Sequence, residues 1–362
     1  MIYLDNAAST PIDERVKRKI VDVMDIYGNP SSIHQMGSTA NNEIKTASLI
    51  ISNFLNCSAD EIYYTNGATM SNNCAIQGFM KQDNTLLIIG NIEHNDIVEM
   101  ADQYANYKID ITKPFYDTLD YMLKILSKHF NILVSIQMAN SESGQINNIK
   151  KIATICHRYQ NCYLHTDATQ YIPYFKIDVQ DMGIDMLSMS GQKINCIKGT
   201  GVLYVKNDVP IQKVIYGEQG LIGGTPSVPL ISGLGEAFNL LDDKYTKVNI
   251  IKNNRDMILN NLLKLGFHLI GSNDRLPNNI YGYFDNIDGY VLMDYLNANF
   301  NICIGTGSAC STKSNEPSHV AMAYLHDREL ADKCIRITVG EQNTKDDINM
   351  FNKVITGVMQ TL

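Results

Sequence analysis

Tryptophan is missing from this chain of 362 residues, and acidic side chains outnumber basic ones. The 30 Lys and Arg residues stand against 38 Asp and Glu residues, which gives a net charge of −8. Nucleic-acid-binding surfaces need clustered basic side chains, so we expect no nucleic acid among the partners. The apolar runs fall well short of the about 20 residues that span a membrane, and we expect no membrane segment.

The first residues, MIYLDNAAST, lack the basic and then apolar pattern of a secretion signal, because Asp5 stands within them. We therefore expect a cytoplasmic protein. Its eight cysteines are scattered and none forms a C-x-x-C pair, so we expect reduced thiols and no metal site. Glycine-rich nucleotide motifs of the GxxxxGK[ST] and GxGxxG types do not occur in the sequence either.

Short apolar runs alternate with helical patterns over the first two thirds of the chain. This alternation predicts an α/β domain with a mainly parallel sheet sandwiched by helices. A smaller α+β domain follows, beginning with an amphipathic helix that Arg255 interrupts and Gly266 ends. We place the large domain at residues 12–245 and the small domain at residues 1–11 and 246–362. The predicted strands of the large domain are Thr85–Ile89, Ile132–Met138, Cys162–His165, Met186–Met189 and Gly201–Val205.

Polar side chains with chemical uses follow these strands directly. Ligands of open α/β sheets bind at the carboxyl ends of the strands, so parallel neighbours would bring these side chains to one crevice. The residues are His94, Asn140, Asp167, Gln170, Ser190 and Lys193.

Such a set suits an aldehyde cofactor that contains a pyridine ring. Lys193 can form a Schiff base, Asp167 can keep a ring nitrogen protonated, and His94 can stack and move protons. Gly67, Ala68 and Thr69 stand between a predicted strand and a predicted helix, where a phosphate binds well. Each residue alone also fits a plain role: a surface lysine, a structural histidine or a helix cap. Together they favour a site.

Motifs spread along the whole chain strengthen this interpretation. With them, the sequence resembles the NifS/IscS group of cysteine desulfurases, within the class V aminotransferase family of fold-type I enzymes that use pyridoxal 5'-phosphate (PLP). The motifs are YLDNAAST at 3–10, GNPSSIH at 28–34, NGAT at 66–69, EH at 93–94, ANSESG at 139–144, HTDATQ at 165–170, SGQK at 190–193, GGT at 223–225, GSAC at 307–310 and IRITVG at 335–340.

The resemblance implies a role for each matched residue. Lys193 holds PLP covalently, Asp167 pairs with its ring nitrogen, and His94 stacks on the ring. Arg336 and Asn29 bind the substrate, Arg336 through the carboxylate. The further cofactor-binding residues are Gln170 and Asn140 near the phenolic oxygen, and Gly67, Ala68, Thr69, Ser190, Gln192 and Thr225 at the phosphate.

Cys310 is the implied nucleophile, which takes the sulfur of L-cysteine as a persulfide while L-alanine leaves. It stands in a small, polar stretch, predicted as a loop over about residues 303–318, whose length resembles the IscS-like branch. The family's counterpart of Thr225 reaches the phosphate of the other subunit, so a homodimer is implied. A sulfur-acceptor or scaffold protein is the further partner, for iron–sulfur cluster assembly or other sulfur trafficking.

Several positions depart from the family pattern. Glutamine stands where the family usually has the histidine of SGHK, and it can donate to a phosphate but cannot be cationic. Selenocysteine lyase, cystine lyase and aminotransferase activities therefore stay open as alternatives. So does a weakened paralogue that acts as a binding or regulatory subunit. The departures are Met70, Ser141, Gln192, Cys196, Ile197 and Ile222.

Overall fold

A computed structural model describes residues 1–217, 220–307 and 316–361. The chain divides into two compact units. The large unit contains Thr10–Met138 and Asn147–Asp242, and the small unit contains Met1–Ser9, Ala139–Ile146 and Asp243–Leu362. The segment Ala139–Ile146, which lies within the predicted large domain, thus packs with the small unit. The predicted domain ranges stay a prediction.

The strands of the described residues fall close to the predicted apolar runs. They are β1 (Ile2–Tyr3), β2 (Ile62–Thr65), β3 (Thr85–Gly90), β4 (Asn106–Ile109), β5 (Asn131–Ser135), β6 (Cys162–Asp167), β7 (Met186–Ser190), β8 (Gly201–Val205), β9 (His268–Leu269), β10 (Asn279–Tyr283), β11 (Ile302–Cys303), β12 (Gly305–Thr306) and β13 (Ile335–Thr338).

Helices follow most strands, and 3-10 turns occur at Ala59–Glu61 and Gly191–Lys193. The helices are α1 (Glu14–Val23), α2 (Gln35–Leu55), α3 (Ala68–Met80), α4 (Asn95–Ala101), α5 (Tyr116–Leu126), α6 (Ile149–Cys156), α7 (Val179–Met182), α8 (Val228–Asn239), α9 (Leu241–Tyr245), α10 (Val248–Lys264), α11 (Gly289–Phe300), α12 (His319–Leu325), α13 (Arg328–Asp332) and α14 (Lys345–Thr361).

The large unit is built on a sheet with the strand order β2-β8-β7-β6-β5-β3-β4. The pairs β3–β4, β3–β5, β5–β6 and β6–β7 are parallel, whereas β8 runs antiparallel to both of its neighbours. Every residue of β7 and β8 is buried, as expected for strands covered on both faces. The predicted α/β class with a mainly parallel sheet is confirmed.

The small unit carries an antiparallel sheet with the order β12-β13-β10-β9 and a parallel pair, β1–β11. Ile251, Ile258 and Leu262 form the buried stripe of α10, and Gly266 follows that helix with a φ of 86°. Arg255, predicted to interrupt the stripe, is itself buried. Its Nη1 donates to the carbonyl oxygen of Asn279 at 3.3 Å, which compensates for the burial of a polar group. Within the described ranges, no helix is both long and apolar enough to cross a membrane.

Candidate active site

The candidate residues of the large unit gather at the carboxyl ends of β6 and β7. Asp167 is the last residue of β6 and Ser190 the last of β7, and these strands are parallel neighbours with Asp167 opposite Ser188. The 3-10 turn that ends in Lys193 starts directly after Ser190. Strand adjacency therefore places the predicted carboxylate, hydroxyl and amine at one edge of the sheet, as the sequence indicated.

Asp167 is buried and held on both carboxylate oxygens. Its Oδ1 accepts the Thr169 N–H at 2.8 Å, and its Oδ2 accepts Nδ2 of Asn72 at 2.9 Å. Burial, reinforced by the charge of nearby Asp96, raises the pKa of Asp167 above its ordinary value. Because burial makes the charged form of Asp167 energetically unfavourable, a cationic hydrogen-bond donor such as a protonated ring nitrogen would stabilise it.

Asn72 and Asp96 connect Asp167 to His94, and neither residue was predicted from the sequence. Nδ2 of Asn72 also donates to Oδ1 of Asp96 at 3.2 Å, and Nδ1 of His94 lies 2.9 Å from the same oxygen. Burial opposes the charge of Asp96, but the bonds from His94, Thr69 and Asn72 hold its pKa below the ordinary value. The ionised Asp96 thus fixes the orientation of the His94 ring.

His94 begins α4 as its N-cap residue, with its side chain 42% exposed. The preceding Glu93 is fully buried and accepts the Gln137 N–H on both oxygens at 3.1 Å, while burial raises its pKa well above the ordinary value. Glu93 thereby connects the segment between β3 and α4 to the residues that follow β5. The exposed imidazole stands on a rigid base, where it can meet a ligand.

His165 has a different function from His94. Its Nδ1 lies 2.8 Å from Oγ of Ser135 and its Nε2 lies 2.9 Å from Oγ of Ser188, on the two neighbouring strands. Burial lowers the pKa of His165 to about 4, so the ring is neutral at pH 7. It cross-links β5, β6 and β7 beneath the sheet edge.

The start of α3 offers an anion-binding cradle. Gly67 precedes this helix with φ 134° and ψ 175°, a conformation that favours glycine, and it supplies no side chain to cap the first N–H groups. A Cβ on Gly67 would lie 3.8 Å from Oγ of Ser190. The helix start, with Ala68 and Thr69, and the Ser190 hydroxyl therefore share one location that suits a phosphate.

The backbone around Lys193 is firmly held, and the residue itself is partly exposed. The carbonyl oxygen of Gln192 accepts both the N–H of Thr10 at 3.0 Å and its hydroxyl at 2.7 Å. The N–H groups of Ile194 and Cys196 both donate to the carbonyl oxygen of Gly191 at 3.0 Å. These bonds fix the turn from which the Lys193 amine extends.

Other predicted residues of the large unit are less closely tied to this group. Gln170 is buried just after β6. Thr225 is exposed, and Asn29 is exposed with its Oδ1 accepting the Ser31 N–H at 2.9 Å. Their roles as ligands stay predictions.

Arg336 is the candidate anion-binding residue of the small unit. It is 6% exposed, with Nη2 2.9 Å from Oδ1 of Asp5 and Nη1 3.1 Å from the carbonyl oxygen of Ser141, while Nε is buried without a partner. A Cβ on Gly305 would lie 3.3 Å from Nε and 2.7 Å from Oδ1 of Asp5. The glycine leaves room for the guanidinium group, whose open donor suits a carboxylate.

Asn140 also packs in the small unit, where its side-chain oxygen has a structural function. Oδ1 accepts the N–H groups of Glu142 at 2.9 Å and Ser143 at 2.7 Å. Its predicted contact with the cofactor stays a prediction. Cys310 lies outside the described residues.

Several departures from the family pattern are explained by packing. Met70 and Ile222 both pack, partly buried, against one apolar cluster of the large unit. Cys196 is buried and 1% exposed. These three side chains therefore fill space in the interior of the large unit.

Comparisons with known proteins agree along the whole chain. A family model described as aminotransferase class-V matches residues 2–351. The cysteine desulfurase IscS of Methanosarcina thermophila is 35% identical over 375 residues, covering 100% of this chain and 92% of the relative. The cysteine desulfurase IscS 1 of Archaeoglobus fulgidus is 34% identical, covering 100% and 98%.

Solved structures show the same likeness. A NifS-like protein from Rickettsia africae matches with a TM-score of 0.90 and 29% identity, covering 100% of both chains. A structure of SspA in complex with cysteine matches with a TM-score of 0.81 and 29% identity, covering 94% of this chain and 99% of that one.

Proposed function

The chain belongs to the aminotransferase class-V family, and on that premise we propose that it is a PLP-dependent cysteine desulfurase. It converts L-cysteine to L-alanine and leaves the sulfur on Cys310 as a persulfide. One observation carries the proposal: a buried carboxylate, held on both oxygens, ends the strand beside the one that leads to Lys193. The full-length likeness to proteins named cysteine desulfurase supports the choice of reaction.

The residues present fit PLP. Lys193 would hold its aldehyde carbon, Asp167 its ring nitrogen, and the start of α3 with Ser190 its phosphate. Gln192 would add a neutral donor at the phosphate. When bound, PLP supplies an electron sink that stabilises negative charge on the substrate.

The protein's own residues perform the remaining tasks. Arg336 binds the carboxylate of L-cysteine. Asp96 holds Nδ1 of His94, and the other ring nitrogen, Nε2, takes up and releases protons. The thiolate of Cys310 takes the sulfur as the carbon–sulfur bond breaks and a sulfur–sulfur bond forms, and the former thiol carbon gains a proton to give alanine. Atoms and electrons balance between cysteine plus thiol and alanine plus persulfide, without a further reactant.

Partners and location belong to the same proposal. The enzyme is a homodimer in which Thr225 reaches the phosphate of the other subunit, and a sulfur-acceptor or scaffold protein takes the persulfide sulfur. A cytoplasmic location is supported by the cysteines of the described residues, which all carry free thiols.

The proposal is tested by measuring both products, alanine and sulfide. Purified protein with L-cysteine and a thiol reductant is expected to release alanine and sulfide in equal amounts over many turnovers. It should consume L-cysteine faster than selenocysteine, and faster than cystine assayed without the reductant. Cys310→Ala should abolish sulfide release while the bound cofactor keeps its colour. Cys303→Ala is the matched control, since Cys303 is a partly exposed thiol of the small unit. Normal sulfide release from Cys310→Ala would show that the proposed nucleophile is wrong.

A further inference from the structure

Glu142, Tyr281 and Ser318 form a buried hydrogen-bonded cluster in the small unit. Oε2 of Glu142 accepts the Tyr281 hydroxyl at 2.8 Å and the Ser318 hydroxyl at 2.5 Å. The three residues are 8%, 0% and 6% exposed. Burial, reinforced by the charge of Glu142, raises the pKa of Tyr281 well above its ordinary value, so its hydroxyl stays a donor. We call this set the Glu142 cluster.

The Glu142 cluster meets the chain on both sides of the stretch that carries Cys310. Ser318 is the N-cap of α12, and its Oγ accepts the N–H groups of Val320 at 3.1 Å and Ala321 at 3.3 Å. One serine hydroxyl therefore fixes the start of that helix and binds Glu142. This is the first anchor, eight positions after the nucleophile in the sequence.

Gly307 is the second anchor, three positions before Cys310. A methyl group on Gly307 would lie 2.5 Å from Oη of Tyr281, 2.6 Å from Oε2 of Glu142 and 3.0 Å from Cβ of Ser318. The first two distances are shorter than real Cβ contacts and the third is at their lower limit, so the Gly307 backbone packs directly against all three members of the cluster.

The sheet of the small unit connects this cluster to the candidate substrate-binding residue. Arg336 on β13 lies opposite Gly305 of β12 on one side and opposite Tyr281 of β10 on the other. The Tyr281 hydroxyl and the Arg336 guanidinium group therefore extend from adjacent strands of one rigid frame.

We propose that Glu142, Tyr281 and Ser318 are positioning residues for sulfur transfer, which hold both ends of the Cys310 stretch on the frame that carries Arg336. This inference rests on the proposed function for its effect on turnover. The cluster sets where the nucleophile is tethered relative to the anchor of the substrate carboxylate, and it acts on the transfer step alone. Small errors of placement at a reacting atom are costly, since roughly 1 Å can lower a rate about 100-fold.

The test compares hydroxyl deletions inside and outside the cluster. Tyr281→Phe and Ser318→Ala each remove one bond to Glu142. Tyr324→Phe is the matched control, because it removes a hydroxyl of the same unit that donates to Gln145 and Ser143. Three quantities are measured: sulfide release, the change of cofactor absorbance on adding cysteine, and the rate at which iodoacetamide alkylates Cys310, followed by mass spectrometry.

Both cluster variants are expected to lower sulfide release about tenfold or more. The cysteine-induced absorbance change should stay within about twofold of wild type, and the alkylation rate of Cys310 should change at least about threefold. Tyr324→Phe should match wild type in all three. If either cluster variant fails to fold, Glu142→Gln, which keeps the side-chain shape, carries the same comparison.

Wild-type sulfide release and alkylation in both cluster variants would overturn the inference. An equal loss in the absorbance change and in sulfide release would also overturn it, because the cluster would then support the whole fold. If wild type itself releases no sulfide, the proposed function fails, and the alkylation rate still decides whether the cluster positions Cys310.

Discussion

The two units bring their candidate site residues together in different ways. In the large unit, Asp167, Ser190 and Lys193 follow neighbouring parallel strands, so the strand order alone brings them to one edge. In the small unit, Arg336 lies on an antiparallel sheet and binds Asp5, 331 positions away in the chain. In the parallel sheet, the order of the strands is enough to bring the functional side chains together. In the small unit, they meet through contacts between residues that lie far apart in the sequence.

The two sites also differ in their charges. The large unit surrounds its edge with buried carboxyl groups, Asp167 and Asp96, that favour a cationic ring. The small unit places a buried guanidinium group where an anion is expected. A zwitterionic amino acid attached to a pyridinium cofactor carries both kinds of charge, and the following predictions test this division of tasks.

Removal of the Lys193 amine is expected to have the largest effect, since no other group of that turn can hold an aldehyde. Lys193→Ala should lower sulfide release by at least about 1000-fold. The measurement is steady-state sulfide release with added PLP. Lys198→Ala, an exposed lysine of the same loop, is the control and should keep wild-type activity. A fully active Lys193→Ala enzyme would contradict the role of the large unit.

Arg336→Lys tests the small unit with charge retained. The ammonium group lacks the forked donors, so a charge-assisted bond of about 1.5–3 kcal/mol is lost. We expect the KM for cysteine to rise roughly 10- to 100-fold with a smaller change in kcat. Arg328→Lys, at an exposed position of the small unit, is the control. A fall in kcat at constant KM would assign Arg336 to another step.

Asp96→Asn tests how the carboxyl groups of the large unit affect one another's pKa. The Asp96 charge contributes to the raised pKa of Asp167, so its removal should lower that pKa and move the acid limb of the pH–rate profile to lower pH. Loss of the negative charge beside His94 should lower kcat roughly tenfold. Asp102→Asn, at the exposed end of the same helix, should change neither quantity. An acid limb that moves to higher pH would contradict this assignment.

The smallest effect concerns a polar pair of the large unit outside the candidate site. The hydrogen bond from His157 to buried Asp185 raises the pKa of His157. Its stabilisation is fully present below the unfolded pKa of about 6.5 and is lost as the pH rises through the folded value. His157→Ala should cost less than about 1 kcal/mol at pH 6, because the ring is partly exposed, and still less at pH 9.

Urea unfolding at the two pH values measures this cost. His129→Ala, at an exposed position, should show no such pH dependence. A larger cost for His157→Ala at pH 9 than at pH 6 would contradict the sign of the shift.

The same difference between the units explains which site residues could be predicted from the sequence. Asp167, Ser190 and Lys193 were predictable because strand ends are visible as the ends of apolar runs. Asn72 was missed because it lies inside α3, away from any strand end. Asp96 carried a weak signal, an acid two positions after a histidine that caps a helix.

Contacts of the small unit could not be predicted in this way. Arg255 was predicted only to interrupt the apolar stripe of a helix, and its partner is a backbone carbonyl of β10 that no sequence pattern marks. The packing of Gly307 against Glu142 and Tyr281 depends on three segments far apart in sequence. Resemblance to the family pointed to Arg336, whereas its partners Asp5 and Ser141 emerged only from the fold.

The central claim is that the Lys193 amine holds PLP beside Asp167. Borohydride reduction of the holoenzyme, followed by peptide mass spectrometry, tests it most directly. The account predicts a pyridoxyl-phosphate adduct on the peptide that contains Lys193. An adduct confined to another lysine, or none on a protein that has bound the cofactor, would contradict it.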